Sequence, residues 1–241
     1  MERIITKDNL HLFAYCNRAV CATPIRGIVL DFCGLGGQDM MQEETGSGRF
    51  FGERGVLYVF PYYNPWSWMN RQTVDYVDEL VDVLFAAYDL PENTPIASTG
   101  GSMGGLAALV YTAYARRTPA VCVANCPVCD LPFHFTERPD LPRTLYSAFG
   151  TYPGTLEEAL RSASPLHLAD GRLPTATRYC LFHCERDEAV NKERHSDRLV
   201  AAMTAAYTVD YYPVPDQGHC QLPPPMWEQY NACILAGLER T

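Results

Sequence analysis

The sequence has no apolar run long enough to cross a bilayer. Its longest stretch, residues 106–115, is interrupted by Thr112 and stops at Arg116 and Arg117, short of the roughly 20 apolar residues that a spanning helix needs. The opening MERIITKDNL has neither an apolar centre nor a small-residue cleavage site, so the expectation is a soluble, cytoplasmic protein. Basic charge is also scarce, and the formal net charge is -9. Such a surface repels nucleic-acid phosphates and anionic lipid, so neither nucleic acid nor membrane is a favoured partner. Internal repeats and low-complexity linkers are missing too. The chain therefore reads as one α/β domain spanning residues 1–241 rather than an array.

Within 241 residues, 47% are apolar and 20% charged. That composition buries a sizeable core without metal or disulfide staples. The ten cysteines are expected to be reduced thiols, and those inside apolar runs, such as Cys122 and Cys180, to act as small buried hydrophobes.

Strand-like and helix-like runs alternate, which predicts a mainly parallel central sheet flanked by helices. Residues 4–15 read as an N-terminal hairpin around Asp8-Asn9. Strands are expected at 27–32, 55–60, 94–99, 120–125, 178–184 and 208–212. Helices are expected at 73–88 with Thr73 as N-cap, and at 106–116, 155–163, 196–206 and 227–238. The proline-rich segment at about 126–174 breaks the rhythm and reads as an inserted cap with one helix.

Gly100-Gly101-Ser102-Met103-Gly104 fits G-x-S-x-G between a strand and a helix. The pattern has a physical reason. The serine sits on a tight, strained turn, and its neighbours two residues away must lack bulk where strand and helix pass closely. The helix N-terminus also points free amides at developing negative charge. Such a nucleophile needs a base, and the base needs an orienting acid.

Downstream histidines are His134, His167, His183, His195 and His219. Only His219, in Asp216-Gln217-Gly218-His219, follows the last expected strand, at the sheet edge that carries Ser102. For the acid, Asp187 stands a few residues beyond the 178–184 strand, with Glu185, Glu188 and Asp130 as competitors.

The turn Cys33-Gly34-Leu35-Gly36-Gly37, the elbow at 100–105, the run from Leu181 to Val190 and Gly218-His219 together resemble the α/β-hydrolase superfamily over nearly the whole chain. The resemblance is greatest to single-domain esterases and to prolyl-oligopeptidase-like catalytic domains. It implies Asp187 as the acid, His219 as the base, and an oxyanion hole from the backbone N–H groups of Leu35 and Met103. Cys33 where relatives have histidine, Gly101 where they have a bulky residue, and Cys184 where they have glycine are departures that remove no catalytic group.

The expected chemistry is acyl transfer from an ester to water, with no metal or organic cofactor. A peptidase or acylaminoacyl hydrolase and a non-catalytic binding module are the alternatives. Tyr62, Tyr63, Trp66 and Trp68 follow a strand and are expected to line a substrate site for a small ester or short peptide. Phe133, Phe135, Tyr146 and Phe149 are placed in the cap above it. Cys126 and Cys129 form a C-x-x-C pair, with Cys180 and Cys184 the only similarly spaced partners for a redox or zinc role.

Overall fold

The computed structural model describes residues 4–37, 40–41, 43–203 and 206–239. Runs rich in valine, isoleucine, leucine and aromatics pair into a sheet of seven strands ordered β1-β3-β2-β4-β5-β6-β7. The strands are β1 Ala14–Cys16, β2 Gly27–Phe32, β3 Val56–Pro61, β4 Ile96–Gly101, β5 Val121–Asn125, β6 Arg178–Cys184 and β7 Thr208–Val214. All neighbouring pairs are parallel except β1 with β3. Parallel strands are covered on both faces and so read as continuous apolar runs. On one face pack α2 (Arg71–Ala87), α3 (Met103–Tyr114) and α8 (Ser196–Met203). On the other pack α1 (Gly46–Gly52) and α9 (Pro224–Leu238). Loops at the carboxyl ends of β2, β4, β5, β6 and β7 meet at one edge, where ligands bind in open parallel sheets.

Several expectations need correction. No hairpin forms at 4–15. The Asn9 side chain accepts from Thr6 N (2.7 Å) and donates to Ile4 O (3.0 Å), closing a turn that runs into a 3-10 helix at Leu10–Leu12. The following strand pairs with β3 instead. The cap of α2 is Asn70, whose side chain accepts from Thr73 N (3.1 Å) and from the Thr73 hydroxyl (3.0 Å). Helix α3 begins three residues earlier than the apolar pattern implied, directly after Ser102. The expected helix at 196–206 runs into residues 204–205, which lie outside the described residues.

Between β5 and β6 the chain forms not one helix but α4 (Leu131–Glu137), α5 (Leu141–Phe149), α6 (Leu156–Ser162) and the short α7 (Pro165–Leu168). Prolines in the first turn of α4, α5 and α7 looked like breakers. They sit where a helix has no use for the missing N–H. Glu137 ends α4 and ties it to the main body. Its carboxylate accepts from His134 Nδ1 (2.6 Å), His195 Nε2 (3.0 Å) and Asn191 N (3.2 Å). His195 Nδ1 accepts from Cys129 N (3.0 Å) and Asp130 N (3.1 Å), which puts its proton on Nε2. Those donors hold the Glu137 carboxyl well below the usual range although burial opposes its charge. No helix among the described residues is long and apolar enough to cross a membrane.

Helix α3 passes so close to the sheet that a Cβ on Gly104 would overlap the Phe32 carbonyl oxygen, while one on Gly100 would lie 2.6 Å from the Gly104 carbonyl carbon. Gly104→Ala is expected to lower stability by about 3 kcal/mol or to prevent folding. Gly46→Ala, with open space around its Cβ position, is expected to change it by less than about 0.5 kcal/mol. Thermal unfolding of the two variants beside the parent checks both.

Candidate active site

Ser102 stands between β4 and α3 with φ 58° and ψ -123°. A non-glycine residue holds such a conformation only when its surroundings over-determine it. Here Ser102 N donates to Asn125 O (2.9 Å), and Ser102 O accepts from Leu106 N (3.1 Å). The hydroxyl makes no capping bond and has no hydrogen-bond partner among the described residues.

Asp187 lies in the loop after β6, with its side chain wholly buried. Oδ1 accepts from Ala189 N (2.8 Å) and Val190 N (2.9 Å). Oδ2 accepts from His219 Nδ1 (2.7 Å) and faces His183 Nε2 at 3.4 Å. Burial alone would raise its pKa. The bonds from His183, His219 and the Val190 backbone outweigh burial and hold it below the ordinary value.

His219 follows β7 in a loop where Asp216 and Cys220 both have positive φ. Backbone bonds from Glu185 N to Val214 O (2.9 Å) and from Arg186 N to Gln217 O (2.9 Å) hold this loop against that of Asp187. With Nδ1 on the carboxylate, Nε2 faces Cys220 Sγ at 3.7 Å. Burial opposes charge on the ring, but Asp187 and Cys126 favour it and raise its pKa to about 9.

Asp187 and His219 are thus in contact, and Ser102 lies in the neighbouring loop without a hydrogen bond to His219. Asn125 joins the two loops. Its carbonyl takes the Ser102 N–H and, at 3.6 Å, the Cys220 thiol, while its side-chain amide donates to Cys220 O (3.2 Å). A Cβ on Gly101 would lie 3.2 Å from Cys220 Sγ, so Cys220 occupies the room left by Gly101. Neither Asn125 nor Cys220 stood out in the sequence, because the contacts that give them a role are about 95 residues apart in the chain.

The competing residues are engaged elsewhere or exposed. Asp130 caps α4 by accepting from Phe133 N (3.2 Å) and pairs with Arg198 (2.6 Å). Glu185 and Glu188 are exposed. His134 and His195 share Glu137, and His167 Nδ1 bonds Ser164 Oγ (2.9 Å). His183 supports Asp187 from below, with Nδ1 on Ser196 Oγ (2.6 Å) and Nε2 on Val190 O (3.1 Å).

The cysteines carry no disulfide, and Cys126 and Cys129 diverge. The Cys129 thiol donates to Pro127 O (3.3 Å). Cys126 Sγ accepts from Cys184 N (3.3 Å) and Cys220 N (3.4 Å). Hydrogen bonds from Cys184 and Cys220 lower the Cys126 thiol far below its ordinary value, against the opposing effect of burial, and theirs are raised in turn.

The turn after β2 is closed by Gly37 N to Gly34 O (3.0 Å), with Gly36 at φ 74°, a type II geometry that suits glycine. The N–H groups of Leu35 and Met103 donate to no described residue. A cavity of about 320 Å³ beside this turn is lined by Cys33, Gly37, Met40, Tyr62, Tyr63 and Asn64. Trp66 is 41% exposed and lies against Gly36. Trp68 does not belong to this surface. It is wholly enclosed, donates to Thr144 Oγ1 (3.0 Å) and packs edge-on against His134. Phe133 packs on His195, and Phe135 on Tyr146. Phe149 lines a second cavity of about 270 Å³ that shares no residue with the first.

The sequence profile of the prolyl oligopeptidase family matches residues 67–227, well over half of the chain. No curated protein matches. Among solved structures, a puromycin-hydrolyzing peptidase from Mycobacterium tuberculosis is similar at 20% identity and TM-score 0.63, over 82% of this chain and 31% of that one. An S-formylglutathione hydrolase from Agrobacterium tumefaciens is similar at 16% identity and TM-score 0.66, over 89% and 84%. A truncated carbohydrate esterase from gut microbiota is similar at 14% identity and TM-score 0.68, over 91% and 88%. The chain spans about a third of the length of the peptidase structures it matches. At these identities the likeness establishes an α/β-hydrolase fold.

The raised pKa of His219 is open to direct measurement by NMR of its ring. The imidazolium is expected to lose its proton near pH 9. In Asp187→Asn and in Cys126→Ala the midpoint is expected to fall, because each removes a group that favours the charged ring. A midpoint unmoved by both changes would contradict the assigned cause.

Proposed function

The chain belongs to the prolyl oligopeptidase family, and from this premise we propose that it is a serine hydrolase cleaving carboxylic esters of small substrates through an acyl-enzyme on Ser102. One observation carries the reading. A strained serine at a strand-to-helix elbow lies one loop away from a histidine held by a buried carboxylate at 2.7 Å. Asp187 fixes the proton of neutral His219 on Nδ1, which leaves the Nε2 lone pair to take the Ser102 proton as Oγ attacks the carbonyl carbon. The tetrahedral oxyanion is received by the Leu35 and Met103 N–H groups, each worth about 3 kcal/mol in such sites. His219 then protonates the leaving alcohol. Water, deprotonated by the same nitrogen, releases the acid and restores Ser102. The Ser102–His219 hydrogen bond forms with substrate in place, as catalytic bonds tighten in the reacting complex.

The cavity walled by Tyr62 and Tyr63 is the proposed acyl or alcohol pocket, with Trp66 at its rim. The segment at 126–174 is the proposed cap of a single domain, with Phe135 packed on Tyr146 and Phe133 on His195 outside the segment. Peptide or aminoacyl amide cleavage is the second reading, supported by the match to the prolyl oligopeptidase family itself. A soluble, cytoplasmic protein remains our expectation for its location.

A fluorophosphonate probe is expected to add once to the parent. The adduct should be absent in Ser102→Ala, and labelling about 10,000-fold slower in Asp187→Asn. Labelling should slow as pH falls below about 9, because only neutral His219 accepts the serine proton. A panel of short aryl esters, carbohydrate esters, S-formylglutathione and puromycin separates the readings. Ester turnover exceeding amide turnover supports esterase action, and the reverse order supports the peptidase.

A further inference from the structure

The loops after β5 and β7 bring two sulfurs beside His219. Cys126 Sγ, Cys220 Sγ and a ring nitrogen of His219 all lie within 4.8 Å of one another. His219 Nε2 lies 3.7 Å from Cys220 Sγ. A tetrahedral zinc ion with bonds of about 2.3 Å to sulfur and 2.0 Å to nitrogen sets S···N near 3.5 Å and S···S near 3.8 Å. The His219 Nε2–Cys220 Sγ pair therefore already spans one such edge to within a few tenths of an ångström.

The surroundings are those of a soft-cation site. His219 Nδ1 is backed by Asp187 at 2.7 Å, the outer-shell carboxylate that orients a ligating imidazole. Cys126 Sγ receives the N–H groups of Cys184 and Cys220, which stabilise charge on a thiolate. His219 is partly exposed, with 29% of its side chain open, so an ion has a route from solvent. None of this uses the C-x-x-C spacing of the sequence, since Cys129 turns away.

We propose that Cys126, Cys220 and His219 form a binding site for one soft divalent cation, zinc or cadmium, whose occupancy switches the hydrolase off. The ion bonds to both sulfurs and to His219 Nε2, and any thiol protons pass to solvent. The lone pair that serves Ser102 is then engaged, so the ion is an inhibitor and not a cofactor. This rests on the reading of His219 as the base, but binding can be read without activity.

The test titrates the purified full chain with cadmium chloride in a phosphine reductant and follows thiolate-to-cadmium absorption in the ultraviolet. Saturation at one equivalent is expected. Cys220→Ser should weaken binding by more than about 10-fold, and Cys16→Ser, on the distant β1, should leave it unchanged. Zinc chloride should block fluorophosphonate labelling of the parent, a chelator should restore it, and Cys220→Ser should resist the block. Absence of saturable absorption, or equal behaviour of the two variants, overturns the proposal. If Cys220→Ser does not fold, the parent decides by NMR: zinc must shift the Nε2 resonance of His219, and an unmoved resonance overturns the site. A parent that never labels but binds cadmium defeats the hydrolase reading, and the switch with it, while the cation site stands. A parent that labels but shows no absorption defeats only the cation site.

Discussion

The contact between the first turn of α3 and the carbonyl edge of β2 is the constraint from which the site is built. Gly104 meets the Phe32 carbonyl with no room for a side chain, and Gly100 meets Gly104 in the same way. A helix pressed this closely on a sheet cannot be entered by a relaxed loop. The one residue between strand and helix must take the strained backbone that Ser102 shows. The Cys33 to Gly37 turn continues directly from β2. The same contact therefore fixes the spacing between that turn and the helix N-terminus.

Around this elbow, the remaining loops are placed by one another. Asn125 holds Ser102 by its carbonyl and the histidine loop by its amide. Cys126 receives N–H groups from the loops after β6 and β7. Gly101 and Cys220 fit as complements: the residue before the serine is small, and the residue after the histidine fills the room. Electrostatics follows from the same geometry. His219 is set between the Asp187 carboxylate and the Cys126 sulfur, and both favour a charged ring although burial does not.

Much of this was legible in the sequence where the signal was local. β2 and β6 have the boundaries that their apolar runs suggest, and the glycine spacing around Ser102 marks the elbow. Asp187 and His219 stand out by their places after strands, and they are in contact. What failed to show was non-local or masked. Helix α1, Gly-Ser-Gly-Arg-Phe-Phe-Gly, has poor intrinsic propensity and is held by the Thr45 cap and by Phe51 stacked on Tyr58. Of the helices between β5 and β6, α6 matches the one expected at 155–163, while α4, α5 and α7 hide behind prolines in their first turns. Trp68 read as a pocket aromatic because its loop reaches the right edge, and only packing against Thr144 and His134 reveals that it points inward. The sulfur cluster joins Cys126, after β5, to the adjacent His219 and Cys220, after β7, across more than 90 residues of chain that no local spacing connects.

Glu137 carries a consequence for how the molecule moves. Its carboxylate is shared by two buried histidines and by the amide of Asn191, which closes the segment that begins at Asp187. Lifting α4 as a rigid flap would strand a charge without its donors, at a cost of several kcal/mol. The carboxyl end of α4 thus behaves as a pivot rather than a door.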